Sequence, residues 1–331
     1  MIQASAPGRC GLVGNPTDMY GGSVLSLSTA ERAHATLSEA RQTTITVSGQ
    51  SQVLVSASDL ALRGDYLDVA RAVLTALEVD PATTAPFHLS ATTEIPMSAG
   101  LAGSTAILAC LTGCLLAHLG LRLNPYETAE LVRKIEYDVL GVVCGFQDAY
   151  MAVFGGLHFL DFAGRNSAET LEADTPFGTI EPLAAYVKGL PFVLAHTGVR
   201  HHSGTMHASP RERWLVGDRT VVDGYAEIAG LARAAKRALL GGDWAVLASA
   251  MTRNHEIVRD LGGSGEANEK LIAAALSGGA LAAKLAGAGG GGTIVALTLD
   301  PDRTIAALQS AGAEAILLPK PSPGLTMEIG Q

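Results

Sequence analysis

The feature that most constrains this chain is a glycine-bearing segment, Pro96-Met97-Ser98-Ala99-Gly100-Leu101-Ala102-Gly103-Ser104-Thr105, that opens into an apolar stretch. Glycines and small residues let backbone N–H groups approach another molecule closely. The stretch that follows is rich in Ala and Leu and predicts a buried helix over 104–119. The free N–H groups at the start of such a helix favour an anion such as phosphate. No Gly-Lys-Ser/Thr of a Walker A loop follows, and by itself the segment is more typical of an ordinary loop between a strand and a helix.

Two further glycine-bearing segments lie far from the first one in sequence. Near the start the chain reads Ala6-Pro7-Gly8-Arg9, then Gly14-Asn15-Pro16-Thr17-Asp18. Near the end it reads Lys284-Leu285-Ala286-Gly287-Ala288-Gly289-Gly290-Gly291-Gly292. The last segment has the composition of a flexible linker, but it lies just before a predicted strand at Thr293, which favours a tight turn.

Composition and charge limit the class of protein. A chain of 331 residues suits one large domain or two lobes with ample core. The net charge of −9, without a dense Lys/Arg cluster, argues against a nucleic-acid partner. Apolar stretches are too short and interrupted to cross a membrane, and the N-terminus lacks the pattern of a signal peptide. We therefore expect a cytoplasmic protein with no membrane partner.

Helical and strand patterns mix without strict alternation, so we expect an α+β fold rather than a doubly wound sheet. The pattern predicts a hairpin over 44–56 and helices over 65–78, 104–119, 124–140, 220–276 (with breaks) and 301–310. Strands are expected over 87–92, 156–162, 190–195, 293–299 and 313–318. Asn124-Pro125-x-Glu127 is typical of a helix start. Cys110 and Cys114 would share a helix face, and we interpret them as buried free thiols rather than a metal pair.

The three glycine-bearing segments, taken together and in this order, resemble those of the GHMP kinases. The resemblance implies a two-lobed GHMP kinase fold with an active-site cleft between an N-terminal lobe, 1–180, and a C-terminal lobe, 181–331. It also implies ATP and Mg²⁺ as cofactors. The ATP-binding residues would be those of the central segment: Pro96, Ser98, Ala99, Gly100, Leu101, Ala102, Gly103, Ser104 and Thr105. In the last segment Gly287, Gly289 and Gly290 would lie near the nucleotide and the substrate.

A second part of the resemblance concerns carboxylates. The segment from Glu136 to Cys144-Gly145-Phe146-Gln147-Asp148 is similar to the Glu…Cys-Gly-x-x-Asp segment of galactokinases. It implies that Glu136, with the hydroxyl of Thr105, binds Mg²⁺ and that Asp148 is the catalytic carboxylate beside Arg9. Without the motif, Glu136 would be interpreted as a solvated helix residue paired with Arg133 or Lys134.

The role of Asp148 has two possible forms. Phosphoryl transfer needs a group that takes the proton of the acceptor hydroxyl or orients that hydroxyl. A neighbouring guanidinium stabilises an ionised carboxylate and makes it a weaker base. Arg9 can instead stabilise charge on the transferred phosphoryl group. The sequence leaves Asp148 as either base or positioner.

Substrate choice depends on the segment near the N-terminus, Gly14 to Asp18. Gly11 to Tyr20 resembles the start of plant glucuronokinases, as does Ser203-Gly204-x-x-His207…Arg211-x-Arg213-Trp214-Leu215. Where galactokinases have Glu, this chain has Asn15, which would not repel a C6 carboxylate and could donate a hydrogen bond to it; Asn-Pro is also a common turn. The resemblance implies substrate contacts by Asn15, Asp18, Tyr20, Arg200 and His207.

We therefore expect a sugar 1-kinase acting on an acidic hexose, with glucuronate as the first candidate. One departure weakens this expectation, since Thr205 stands where that family has Lys; Arg200, His201, His202 and His207 could supply the positive charge, or the stretch is a surface loop. Two alternatives remain: a neutral-sugar or heptose-phosphate kinase of the same superfamily, and a non-catalytic ligand sensor with this fold. Oligomeric state cannot be inferred.

Overall fold

The computed structural model describes residues 1–166, 175–199, 208–287 and 292–330, which form two β-sheets with helices packed around them. The strands are β1 (Ile2–Val13), β2 (Ser23–Glu39), β3 (Thr44–Val47), β4 (Gln50–Val53), β5 (Phe87–Thr93), β6 (Leu157–Asp161), β7 (Thr179–Pro182), β8 (Phe192–His196), β9 (Ala282–Leu285), β10 (Thr293–Leu297), β11 (Ala315–Leu317) and β12 (Thr326–Ile329). The α-helices are α1 (Asp68–Ala76), α2 (Gly103–His118), α3 (Pro125–Lys134), α4 (Gln147–Phe154), α5 (Ala208–Leu215), α6 (Arg219–Gly241), α7 (Trp244–Asp260), α8 (Glu266–Ser277) and α9 (Pro301–Ser310).

The large sheet has the strand order β12-β1-β2-β5-β3-β4, and β6 and β7 extend it from β2. The long strand β2 makes this possible because its first residues pair with β6 and its last residues pair with β5. Only the β3–β5 pair is parallel. The small sheet, β11-β8-β10-β9, is antiparallel throughout. This mixture of helices and sheets confirms the predicted α+β class.

Strands β1 and β2 were not predicted from the sequence. Pro7, Gly8 and Gly11 interrupt the alternation that identifies a half-buried strand. In the fold the β1–β2 register shifts between Pro7 and Arg9 and again between Gly11 and Val13. Such bulges bend a strand and change the direction of its side chains, and they are frequent beside functional sites.

Helix α2 forms the centre of the main core. It is apolar on all sides, and residues Thr105 to Leu116 are buried without a break. A helix of this kind must be covered all round, and α2 packs against β1, β2, β5, α1, α3 and α4. The buried helix predicted over 104–119 is thereby confirmed, and its N-terminus is held rigidly by the core.

The predicted helix start at Asn124 is confirmed. Its side chain accepts a hydrogen bond from the N–H of Glu127, and the Glu127 carboxylate accepts one from the N–H of Asn124. The predicted single helix to Leu140 is wrong in detail: α3 ends at Lys134 and the chain continues as a turn of π-helix, Ile135–Val139. This turn contains Glu136, and π-turns inserted at helix ends are frequent at functional sites.

The predicted division at residue 180 stays a prediction, although the chain's last strand, β12, pairs with β1 in the first of the two predicted lobes. Cys110 and Cys114 are buried free thiols, as expected. None of the helices in the described part of the chain is long and apolar enough to cross a membrane.

Candidate active site

The three glycine-bearing segments meet in the fold. The N–H of Arg9 donates a hydrogen bond of 3.0 Å to the carbonyl of Leu101. Gly287 lies so close to the central segment that a Cβ there would be 2.3 Å from the carbonyl oxygen of Gly100. Only glycine permits this approach. Backbone contacts therefore join parts of the chain that are about 90 and 190 residues apart in sequence.

Arg9 and Asp148 form an ion pair at this junction. Both Nε and Nη2 of Arg9 contact the same oxygen, Oδ1 of Asp148, at 2.7 and 2.6 Å. Nη1 donates to the carbonyl of Gly100 at 2.6 Å. The Arg9 side chain is almost buried, whereas that of Asp148 is 29% exposed. Within the described residues Asp148 has no partner besides Arg9, so its Oδ2 is available to a substrate hydroxyl.

Glu136 is buried against the start of helix α2. The hydroxyl of Thr105 lies 2.9 and 3.1 Å from its two carboxylate oxygens. Burial raises the pKa of Glu136 to about 7, and the nearby Asp148 carboxylate acts in the same direction. No Lys or Arg of the described chain pairs with Glu136, so the alternative of a solvated residue paired with Arg133 or Lys134 is wrong. A buried carboxylate beside a hydroxyl supplies the hard oxygen donors that suit Mg²⁺.

The central segment has the backbone form of an anion-binding loop. Residues Ser98, Gly100 and Ala102 have positive φ angles of 54°, 71° and 59°. Alternating left- and right-handed residues turn successive N–H groups toward one side, and such a nest binds anions. Among the described residues none accepts a hydrogen bond from the N–H groups of 100–105. Ala102 stands at the N-cap of α2, so the nest continues into the free N–H groups of that helix.

The carboxylate of Asp18 is fixed by hydrogen bonds from the start of helix α4. Its Oδ2 accepts hydrogen bonds from the N–H groups of Phe146 and Gln147 at 2.8 and 2.9 Å. A Cβ at Gly145 would lie 2.0 Å from the same oxygen, so Gly145 is required for this contact. Burial raises the pKa of Asp18 to about 6 against the effect of these bonds, and Asp148 adds to the rise.

Asn15 faces a buried lysine that sequence reasoning missed. Nζ of Lys284 donates to Oδ1 of Asn15 at 2.8 Å and to the carbonyl of Gly11 at 3.3 Å. The amide nitrogen of Asn15 donates to the carbonyl of Gly287 at 3.2 Å. Lys284 is only 1% exposed, and burial lowers its pKa to about 7. No carboxylate of the described chain pairs with Lys284, so its charge is uncompensated there.

A second missed residue, Asn254 on helix α7, fixes the same loop. Its Oδ1 accepts from the N–H of Gly14 at 2.9 Å, and its amide nitrogen donates to the carbonyl of Asn15 at 3.2 Å. Asn254 is completely buried. In sequence it lies on a helix with ordinary amphipathic spacing, and no local signal indicates that its side chain contacts a loop 240 residues away.

Tyr20 lies in an aromatic cluster beside this loop. Its ring centroid is 4.7 Å from that of Tyr225 on α6 and 4.9 Å from that of Trp214 on α5. The cluster connects the loop 14–20 to helices from the second half of the chain. Four of the predicted site residues, Arg200, His207, Gly289 and Gly290, lie outside the described residues.

Six of the other predicted site residues lie close together. Arg9, Asp148, Thr105, Glu136, Asp18 and Asn15 lie on or beside the same junction of β1, the central segment, α2 and α4. Their individual roles remain predictions.

Comparisons with known proteins agree with this geometry. Residues 66–156 match the family model described as GHMP kinases N terminal domain, and residues 233–315 match GHMP kinases C terminal. The chain belongs to the GHMP kinase family, as the three segments predicted.

Individual relatives differ in what their names say they act on. A probable glucuronokinase 2 of Arabidopsis thaliana is 33% identical over 62% of this chain, and the chain spans only about half, 55%, of that protein. A mevalonate kinase of Pyrococcus horikoshii is 28% identical over 99% of this chain and 98% of its own length. The structure of Lactococcus lactis galactokinase complexed with galactose has a TM-score of 0.78 at 20% identity, covering 98% of this chain and 95% of that one. The last likeness confirms the fold.

The buried charge of Asp18 leads to a testable prediction. Its folded pKa of about 6 lies above its ordinary value of 3.8, so ionisation of Asp18 opposes folding, and this cost appears as the pH rises from about 4 through 6. Replacement by the isosteric amide, Asp18→Asn, should raise Tm at pH 7 and above. The free energy of unfolding should increase by up to about 3 kcal/mol, and this gain should vanish below pH 4.

The same variant should also raise KM for the phosphoryl acceptor about tenfold, because an anionic hydrogen-bond acceptor is lost. Thermal melts against pH and initial rates provide the measurements.

A surface variant serves as the control for this prediction. Asp138 is exposed, so Asp138→Asn should change Tm little at any pH. A loss of stability of Asp18→Asn at pH 7 would contradict the assignment of Asp18 as a strained buried charge.

The close approach of Gly287 to Gly100 gives a second prediction. In Gly287→Ala the new Cβ must push away the carbonyl of Gly100, which also accepts from Arg9. We expect a fall in kcat of tenfold or more, since a displacement of about 1 Å at an active site has effects of this size. Gly241→Ala at the end of α6, where a Cβ meets no atom within 4 Å, should leave activity and Tm nearly unchanged. Equal activities of the two variants would argue against this contact as part of the site.

Proposed function

We propose that this protein is an ATP-dependent kinase that transfers the γ-phosphoryl group to the anomeric hydroxyl of a sugar acid, with D-glucuronate as the first candidate. The observation that carries the proposal is the junction of Arg9 and Asp148 with the Thr105–Glu136 pair at the start of helix α2. In the proposal, the free oxygen of Asp148 would serve the acceptor, Thr105 and Glu136 would serve a divalent cation, and the loop 98–102 would bind phosphate.

The phosphate side of the reaction is assigned to the central segment. The nest at 98–102 and the first N–H groups of α2 would bind the nucleotide phosphates. Thr105 and Glu136 would hold Mg²⁺, which when bound neutralises charge on the phosphates. Because Glu136 has a pKa near 7, binding of a divalent cation would favour its ionised form.

The acceptor side is assigned to Asp148, Arg9 and Asp18. The Oδ1 of Asp148 is occupied by Arg9, so Oδ2 would accept the hydrogen bond of the attacking hydroxyl and hold that oxygen in line. Because Arg9 holds Oδ1 through two of its nitrogens, the Asp148 carboxylate is fixed in one direction, which suits a role in orienting the hydroxyl. Loose phosphoryl transfer depends chiefly on such positioning. Asp18 would accept hydrogen bonds from sugar hydroxyls.

A preference for an acid is supported by the charge around Asn15. A Glu at this position would pair with the buried Lys284 and cancel its charge, whereas Asn15 leaves that charge uncompensated. A substrate carboxylate would stabilise the protonated form of Lys284, whose pKa is near 7 without it. The name of the plant relative that is 33% identical, probable glucuronokinase 2, supports the same substrate class. A neutral-sugar or heptose-phosphate kinase is the alternative within the family.

A non-catalytic ligand sensor with this fold is the alternative of another class. A sensor needs no carboxylate in contact with the reacting hydroxyl and no oxygen donors for a cation. In this chain Arg9 contacts Asp148 and Thr105 contacts Glu136, and the presence of both pairs favours catalysis.

The test of the proposal is ADP release with Mg-ATP across a panel of acceptors: glucuronate, galacturonate, galactose, glucose, heptose 7-phosphate, mevalonate and homoserine. We expect glucuronate to give the highest kcat/KM and a product whose phosphate is released by mild acid, as an anomeric phosphate is. Asp148→Asn should lower kcat by about 100-fold or more. Equal rates of the two proteins would remove Asp148 from the mechanism. No ADP with any acceptor, together with calorimetric binding of a sugar, would favour the sensor.

Asn15 provides a separate test of the substrate class. In Asn15→Glu a new carboxylate about 4 Å from that of the substrate would cost roughly 4 kcal/mol at an effective dielectric near 20. The ratio of kcat/KM for glucuronate to that for galactose should therefore fall by about 100-fold or more. Asn15→Gln has the same length without the charge and should change the ratio much less. An unchanged ratio in Asn15→Glu would contradict the placement of the acid near Asn15.

A further inference from the structure

Arg211 on helix α5 is a cation without an acid partner in the described part of the chain. Its Nη2 donates to the hydroxyl of Tyr137 at 3.2 Å. Its Nε is buried and donates to no described residue. No described Asp or Glu forms an ion pair with it, although a guanidinium held inside a protein normally has one. The side chain is half-buried, so its charge is neither fully solvated nor neutralised.

The position of Arg211 is between two segments of the candidate site. Tyr137, its hydrogen-bond partner, directly follows Glu136 in the π-turn. On the other side lies Tyr20, two residues after Asp18. Trp214, three residues along the same helix face as Arg211, packs on the Tyr20 ring. Burial raises the pKa of the Tyr20 hydroxyl and the Arg211 guanidinium opposes the rise, so the two groups are neighbours.

A second arginine on the same helix shows the contrast. Arg213 lies two residues further and forms an ion pair with Asp218 at 2.8 Å on the outer side of α5. Both residues are arginines of the same helix. Only Arg211 faces the loop 18–20 and the π-turn, and only Arg211 lacks an acid.

Resting on the proposed function, we propose that Arg211 binds the anionic group of the acceptor substrate and thereby sets its preference for acidic sugars. A guanidinium presents parallel N–H groups that match the two oxygens of a carboxylate. Arg211 would bind an anionic group of the substrate that is remote from the reacting hydroxyl. We assign this group as the carboxylate of a hexuronic acid, and the test distinguishes it from the phosphate of a sugar phosphate.

The test compares Arg211→Met, Arg211→Lys and the control Arg213→Met. Arg211→Met keeps the length of the side chain and should raise KM for glucuronate roughly 10- to 100-fold, with KM for ATP and kcat/KM for glucose or galactose changed less than threefold. Arg211→Lys keeps the charge without the fork and should recover part of the loss. Arg213→Met should change none of these values. Thermal melts identify any variant that fails to fold. If Arg211→Met fails to fold, Arg211→Lys still tests the proposal.

The outcomes separate this inference from the proposed function. If the wild type uses glucuronate but Arg211→Met changes acid and neutral sugars equally, Arg211 has no role in reading the acid, and the kinase proposal stands. If KM for ATP rises instead, Arg211 serves the nucleotide, and the inference is overturned. If heptose 7-phosphate alone is used and loses affinity in Arg211→Met, the oxyanion is a phosphate rather than a carboxylate. A wild type that uses only neutral acceptors overturns both the sugar-acid proposal and the role of Arg211.

Discussion

The guanidinium of Arg9 is the interaction on which the rest of the site depends. It contacts Asp148 through Nε and Nη2 and the carbonyl of Gly100 through Nη1. The same Nη1 is 3.4 Å from the carbonyl of Ala286. One buried side chain thus connects β1, the central loop, helix α4 and the segment after β9. Removing a buried cation from such a network would leave its acceptors unpaired, which costs more than any single contact contributes.

Several ionisable side chains are buried in this region. Burial raises the pKa of both Asp18 and Glu136 and lowers that of Lys284. Each shift means that the free protein holds a charge at a cost in folding free energy. Such strained groups are typical of functional sites, because a ligand of opposite charge can offset the cost when it binds. Asp18 and Lys284 lie in or beside the proposed acceptor loop, and Glu136 lies at the proposed cation site.

Two helices could be predicted because their signals are local: the capping residues around Asn124 and the apolar stretch of α2 depend on neighbours within a few positions. The site residues were indicated instead by the resemblance of three distant segments to the motifs of GHMP kinases. Lys284 could not be found in this way, since a Lys in a four-residue strand gives no sign of complete burial. Strand β1 was missed because Pro7, Gly8 and Gly11 break the alternation of its pattern, and the β1–β2 register shifts on either side of Arg9. The irregularity that hides β1 in the sequence therefore lies next to a residue of the candidate site.

The two proposed sides of the site are built from different kinds of contact, which would explain why family membership leaves the acceptor open. The proposed phosphate side consists mainly of backbone groups: the nest at 98–102, the N-terminus of α2 and the approach of Gly287 to Gly100. Backbone contacts tolerate changes in sequence, and the relatives at 20 to 33% identity carry the names of kinases with different acceptors. The proposed acceptor side would depend on a few charged side chains, Asp18, Lys284 and Arg211, and on the neutrality of Asn15. A single charge there is worth several kcal/mol at close range, which is enough to change the acceptor without changing the fold.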